Sequence, residues 1–135
     1  MVNQPPTRGQ LERTLSQRIQ SFYREQLGHQ PSKVICQLFN SKLAIVLEQS
    51  VTPAENLLIQ EGKGELAEEV RSTLDEVTKP RLMELIQEIL QINIEDLLSD
   101  TTLETGRIGI IAILSDTPLV RNPEAVPKNS QKRPS

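Results

Sequence analysis

Two stretches, "KLAIVLE" (42–48) and "RIGIIAIL" (107–114), restrict what this chain can become. Both read as strands, with β-branched and aliphatic residues in sequence and turn-forming residues at their ends. A strand with one wet face alternates apolar and polar residues, because successive side chains point to opposite sides. These two are apolar on both faces. Both faces must therefore be covered, either by helices on each side of a sheet or by helices on one side and a second copy of the chain on the other. The 135 residues suffice for one domain with one modest core. Aromatic residues make up only 2% of them, so Leu, Ile and Val must fill that core.

The remaining elements follow from capping signals and periodicity. Thr7 and Gln10 have the spacing of a capping box, and Leu11, Leu15, Ile19 and Phe22 recur at helical intervals until Gly28. Val34–Phe39 and Leu43–Leu47 flank Asn40-Ser41 and read as a hairpin. Thr52-Pro53-Ala54-Glu55 is a second capping box, with proline at the first helical position where its missing N–H costs nothing. Leu57 and Leu58 begin an apolar face there. Leu66, Val70, Leu74 and Val77 follow, and Leu82, Leu85, Ile86 and Ile89 resume it after Pro80. One helix from 53 to 90 would be roughly 57 Å long at 1.5 Å per residue. Bends or breaks are therefore expected near Gly62-Lys63-Gly64 and Pro80. "INIEDLLSDTT" and "IGIIAIL", joined by "LETGR", form a last pair of strands.

The expected fold is α+β, in the order α-β-β-α-(α)-β-β, with a four-stranded antiparallel sheet packed with long bent helices. Residues 1–6 read as a flexible leader, 7–116 as the single domain and 117–135 as a disordered basic tail. The order helix, strand, strand occurs from Thr7 and again from Pro80, so two duplicated αββ units are a further expectation. A homodimer is expected as well. It would cover the second sheet face and help bury a helix too long for so small a domain.

Several function classes lose their footing. From Thr117 onward four basic residues face one acid, which leaves −6 of the net −3 on the rest of the chain. Such a body is a poor surface for nucleic acid or anionic lipid. With Tyr23 as its one tyrosine and no Trp, it also lacks base-stacking platforms. No apolar run approaches ~18 residues, so direct membrane insertion is not expected and a cytoplasmic location is. Gly62-Lys63-Gly64 lacks the spacing of a phosphate loop. His29 reads as a surface residue at a helix exit and Cys36 as a buried, inert thiol. One His and one Cys do not make a conventional zinc site. No nucleophile, base and acid stand together in a recognisable pattern, so neither catalytic residues nor cofactors are expected. The acids between Glu65 and Glu88 read mainly as a solvated helical face. Arg71 and Arg81 stand among apolar positions of the long helix. There they serve either salt bridges or recognition of a carboxylate or phosphate.

The run "FYREQLGHQPSKV", the strand leading to "VTPAEN", the basic positions Arg71 and Arg81, and "LLSDTTLETGRIGIIAIL" together resemble the YbcI/MpsC-like family, a small bacterial domain, over about Leu11–Asp116. Family members tend to carry Gly-Lys-Gly-Pro where this chain has Gly28-His29-Gln30-Pro31. The resemblance implies a soluble accessory component. In some bacteria it is linked with a sodium-translocating, membrane-potential-generating system or with inorganic-carbon uptake. A non-enzymatic accessory or regulatory protein is thus expected. Its partner would be a membrane ion or inorganic-carbon transporter, docked on the acidic helical face or near Thr52, Glu55, Arg71 and Arg81. The alternative is a dimeric sensor of an anionic small molecule or nucleotide, held by Arg71 and Arg81.

Overall fold

The computed structural model describes residues 4–121. Helix α1 (Arg8–Leu27) leads into strands β1 (Lys33–Phe39) and β2 (Lys42–Glu48). Helices α2 (Pro53–Gln60) and α3 (Gly64–Leu90) follow, and β3 (Ile94–Thr102) and β4 (Arg107–Leu114) complete the fold. The four strands form one antiparallel sheet in the order β1-β2-β4-β3. The two hairpins therefore meet through their second strands, the doubly apolar pair, at the centre of the sheet. The α+β reading and its element order hold. The topology gives each αββ run the same place relative to the sheet centre.

Helix α1 starts as its capping box requires. The Gln10 N–H donates to Thr7 Oγ1 at 3.1 Å, and the Thr7 N–H donates to Gln10 Oε1 at 2.8 Å. It ends at Gly28, whose φ of 71° is the left-handed conformation glycine adopts without a Cβ penalty. Its buried stripe is Leu11, Leu15, Ile19 and Tyr23, an unbroken spacing of four. Tyr23 takes the place expected for Phe22, which packs partly buried with its ring edge-on to Tyr23.

The glycine pair separates two helices. The Lys63 N–H donates to the Leu58 carbonyl at 2.7 Å and the Gly62 N–H to that of Ile59 at 3.1 Å. These two bonds define a Schellman ending, and Gly62 supplies its left-handed residue with φ 76°. Gly64 is simply the first residue of α3. At Pro80 the helix does not break, and α3 runs through it without interruption. The proline leaves one helical hydrogen bond unmade, at a cost of about 3 kcal/mol. Burial of Arg71 and Thr78 before it, and of Leu82, Ile86 and Leu90 after it, holds both halves in one helix.

The core lies between α1, the C-terminal half of α3 and one face of the sheet. That face contributes Cys36 and Leu38, then Leu43, Ile45 and Leu47, then Ile108, Ile110, Ala112 and Leu114, and finally Ile94 and Leu97. Ladder partners share a face, so Ile35, Val46, Ile111 and Leu98 point the other way. The helices cover only the first face. Residues 117–121, expected within a loose tail, come back to the fold. Pro118 is buried, Val120 packs on the core, and the Arg121 N–H donates to the Pro6 carbonyl at 2.8 Å. Most of the expected tail, and the first three residues of the leader, lie outside the described residues.

Candidate functional site

Helix α2 has eight residues, and its one buried side chain is an acid. Glu55 is fully buried and Arg71 is 4% exposed. Two features of the sequence put them together. The capping box turns the Glu55 side chain back toward Thr52, and the Schellman ending folds α3 against α2 so that its second turn brings Arg71 alongside. Glu55 Oε2 accepts from Arg71 Nε at 2.8 Å, and Oε1 accepts from Arg71 Nη2 at 2.7 Å. This is the two-pronged arginine–carboxylate geometry, which is stronger and more directional than a single contact. Oε1 also accepts from the Thr52 N–H at 3.0 Å and the Thr52 hydroxyl at 2.8 Å. Arg71 uses its remaining donors on Asp75 Oδ1 at 3.3 Å and the Ser50 carbonyl at 3.4 Å.

The charges respond to this packing. Burial alone would raise the Glu55 carboxyl, but Arg71 and the two Thr52 donors outweigh it and hold the group below its ordinary value. Burial likewise opposes the Arg71 charge, and Glu55 followed by Asp75 reverses the balance, so the guanidinium holds its proton more tightly than usual. Asp75 ends on the other side. Its burial outweighs the help from Arg71, and Glu55 and Asp100 add repulsion, so its carboxyl is raised. Tyr23 is pushed up to about 12 by burial and then by Asp75. Cys36 is pushed up to about 11, mainly by burial, which fits the inert thiol expected of it.

Three of the four candidate residues, Thr52, Glu55 and Arg71, thus form one network. Arg81 lies ten residues further along α3, about 15 Å away at 1.5 Å per residue, exposed, with its Nη1 on Gln26 Oε1 at 2.6 Å. Beside Arg71 a cleft of about 380 Å³ runs between α3 and β3. Four acids, Glu68, Asp75, Glu76 and Asp100, line it against two cations, Lys79 and the paired Arg71, so the balance disfavours an anion. His29 is half-buried and donates from Nε2 to the Gln49 carbonyl at 2.8 Å. Among the described residues no group of three or more His, Cys, Asp or Glu is placed to hold a metal ion, and no helix is long and apolar enough to cross a membrane.

The network fixes an arm made of α2 and the N-terminal half of α3, and that arm carries apolar side chains on its outside. Leu57 is 58% exposed, Leu66 45% and Val77 53%, with Val70 and Leu74 half-buried between them. At 100° per residue Leu66, Val70, Thr73 and Val77 fall on one stripe, away from the side that buries Ala67, Arg71 and Thr78. The exposed acids Glu65, Glu69 and Glu76 border that stripe. Sequence periodicity marks these positions as one apolar helix face. What it lacked was the partner: α2 buries Glu55 rather than Leu57 and lies against α3 alone.

Comparison with curated proteins and with solved structures gave no match. Residues 7–116 match the family model described as "Na+-translocating membrane potential-generating system (MpsC)", a span that holds every helix and strand of the fold, and the chain belongs to that family.

Proposed function

We propose that this chain is a non-enzymatic accessory protein, cytoplasmic and dimeric, that docks onto a component of a membrane ion or inorganic-carbon transport system. The docking surface is the outer side of the α2–α3 arm. The observation that carries the reading is the exposed stripe of Leu66, Val70 and Val77, bordered by acids and held rigid from behind by the Glu55–Arg71 pair. An amphipathic helix with a basic edge fits such a surface, its apolar side on the stripe and its cations against Glu65, Glu69 and Glu76. The family's association with a membrane-potential-generating system supports a partner in the membrane.

The test is a photo-reactive residue at position 77, with a second at exposed Glu25 on α1 as the control. Crosslinking in cells should join position 77, and not position 25, to a membrane protein of the system. Equal labelling from both positions would contradict the reading. The alternative, an anion sensor built on Arg71 and Arg81, has less support. Arg71 is spent on two carboxylates, Arg81 stands apart, and the neighbouring cleft is acidic.

A further inference from the structure

The uncovered face of the sheet carries a pattern that the fold of one chain does not use. Its centre is apolar, with Ile35 47% exposed, Val46 39% and Leu98 60%. Three of the four outward rows of the two central strands are matched along their ladder, and the fourth sets Lys42 beside Ile113 at its end. Ala44 stands beside Ile111 and Val46 beside Gly109. In the next row Glu48 Oε1 accepts from Arg107 Nε at 2.8 Å. Each of these three rows thus joins a small side chain to a larger one, or an anion to a cation. A two-fold axis lying in the plane of this face, parallel to the strands and between β2 and β4, would lay β2 of one copy over β4 of the other. It would set Ala44 against Ile111, Val46 against Gly109 and Glu48 against Arg107, twice over. Self-complementarity of this kind is what an isologous interface demands.

We infer that this face is the contact between two copies of the chain, packed sheet on sheet with β2 over β4. The inference rests on the dimer of the reading above and names its interface. The area is sufficient. Four strands about 4.8 Å apart and about 27 Å long give a footprint of about 500 Å² per copy, or about 1,000 Å² for the pair, where specific interfaces begin. Aligned sheets cross at about −30°, so the central rows stay in register while the corners, with Asp96 and Asp100, swing out to solvent.

Gly109 provides the test. Its φ lies outside the left-handed region and a Cβ there meets nothing within 4 Å, so the isolated chain has room for a side chain. Light scattering on the full chain should give the mass of two copies for the parent and of one, 15.2 kDa, for Gly109→Leu, with the variant's circular dichroism and cooperative unfolding retained. Gly109→Val should also dissociate the pair, and adding Val46→Gly should restore it. Glu48→Arg should weaken it and adding Arg107→Glu should recover it. A monomeric parent overturns the inference together with the dimer it rests on. A Gly109→Leu chain that stays dimeric overturns this interface and leaves the dimer standing elsewhere. Failure of both paired exchanges to restore association overturns the placing of β2 over β4.

Discussion

At the scale of single residues, the Glu55–Arg71 pair decides the shape of the N-terminal half of the long helical segment. Taking both charges out of water is costly, and the pair is stable because both carboxylate oxygens and all three guanidinium nitrogens are hydrogen-bonded. Removing one member should therefore hurt far more than removing both. Arg71→Met alone should cost about 3–5 kcal/mol, by stranding a buried carboxylate. Arg71→Met with Glu55→Leu should recover most of that loss. Urea unfolding of the four chains of the cycle checks it, and equal, additive losses would contradict it. The pH dependence has two opposing parts. Glu55 has a depressed folded value, so its contribution is present above the ordinary carboxylate range and is lost as pH falls through that depressed value. Asp75 has a raised folded value, so the folded chain takes up its proton first and gains stability as pH falls from the raised value to the ordinary one. Asp75→Asn should remove that gain and leave a steeper decline on acidification. Thermal midpoints measured from neutral pH down to about pH 4, the ordinary carboxylate range, should show the two profiles diverging; parallel profiles would refute this.

At the scale of elements, the two glycines of Gly62-Lys63-Gly64 look alike in sequence and differ in structure. Gly62→Ala forces a Cβ into a left-handed position and should destabilise by about 1 kcal/mol. Gly64→Ala meets an open site with ordinary φ and should stabilise by about 0.4–1 kcal/mol. Thermal unfolding of both variants should show shifts of opposite sign, and a shared sign would contradict the Schellman assignment. Much of the element order was legible because local chemistry specifies it. Thr7 with Gln10, Thr52 with Glu55, and Asn40 with φ 58° at the hairpin turn all act over three residues or fewer. Whether Pro80 breaks the helix could not be read locally, for the opposite reason. Its local penalty is real, but the packing of Leu82 and Ile86 against the core lies far off in sequence and outweighs it. The functional site was legible only in part. Thr52, Glu55 and Arg71 stood out as unusual, yet the 16-residue separation of Glu55 and Arg71 conceals that each is the other's partner.

At the scale of the whole molecule, two apolar surfaces remain after the chain has folded, the outer sheet face and the α2–α3 stripe. Leu98 and Val77 are more than half exposed, one on each, and among the described residues neither face is covered. The doubly apolar strands anticipated the first surface. The second was legible only in part, because the helix was too long for one domain to bury, while periodicity does not say which stretch of its apolar stripe stays bare. Under the proposed function the two surfaces have separate tasks, self-association and docking to the membrane system. The most direct test is co-sedimentation of the chain with membrane vesicles from its own cells, comparing the parent with Leu66→Asp/Val77→Asp. The parent should pellet with the vesicles while the double variant, still folded and still dimeric, stays in the supernatant. A folded double variant that pellets as fully as the parent would contradict the proposal.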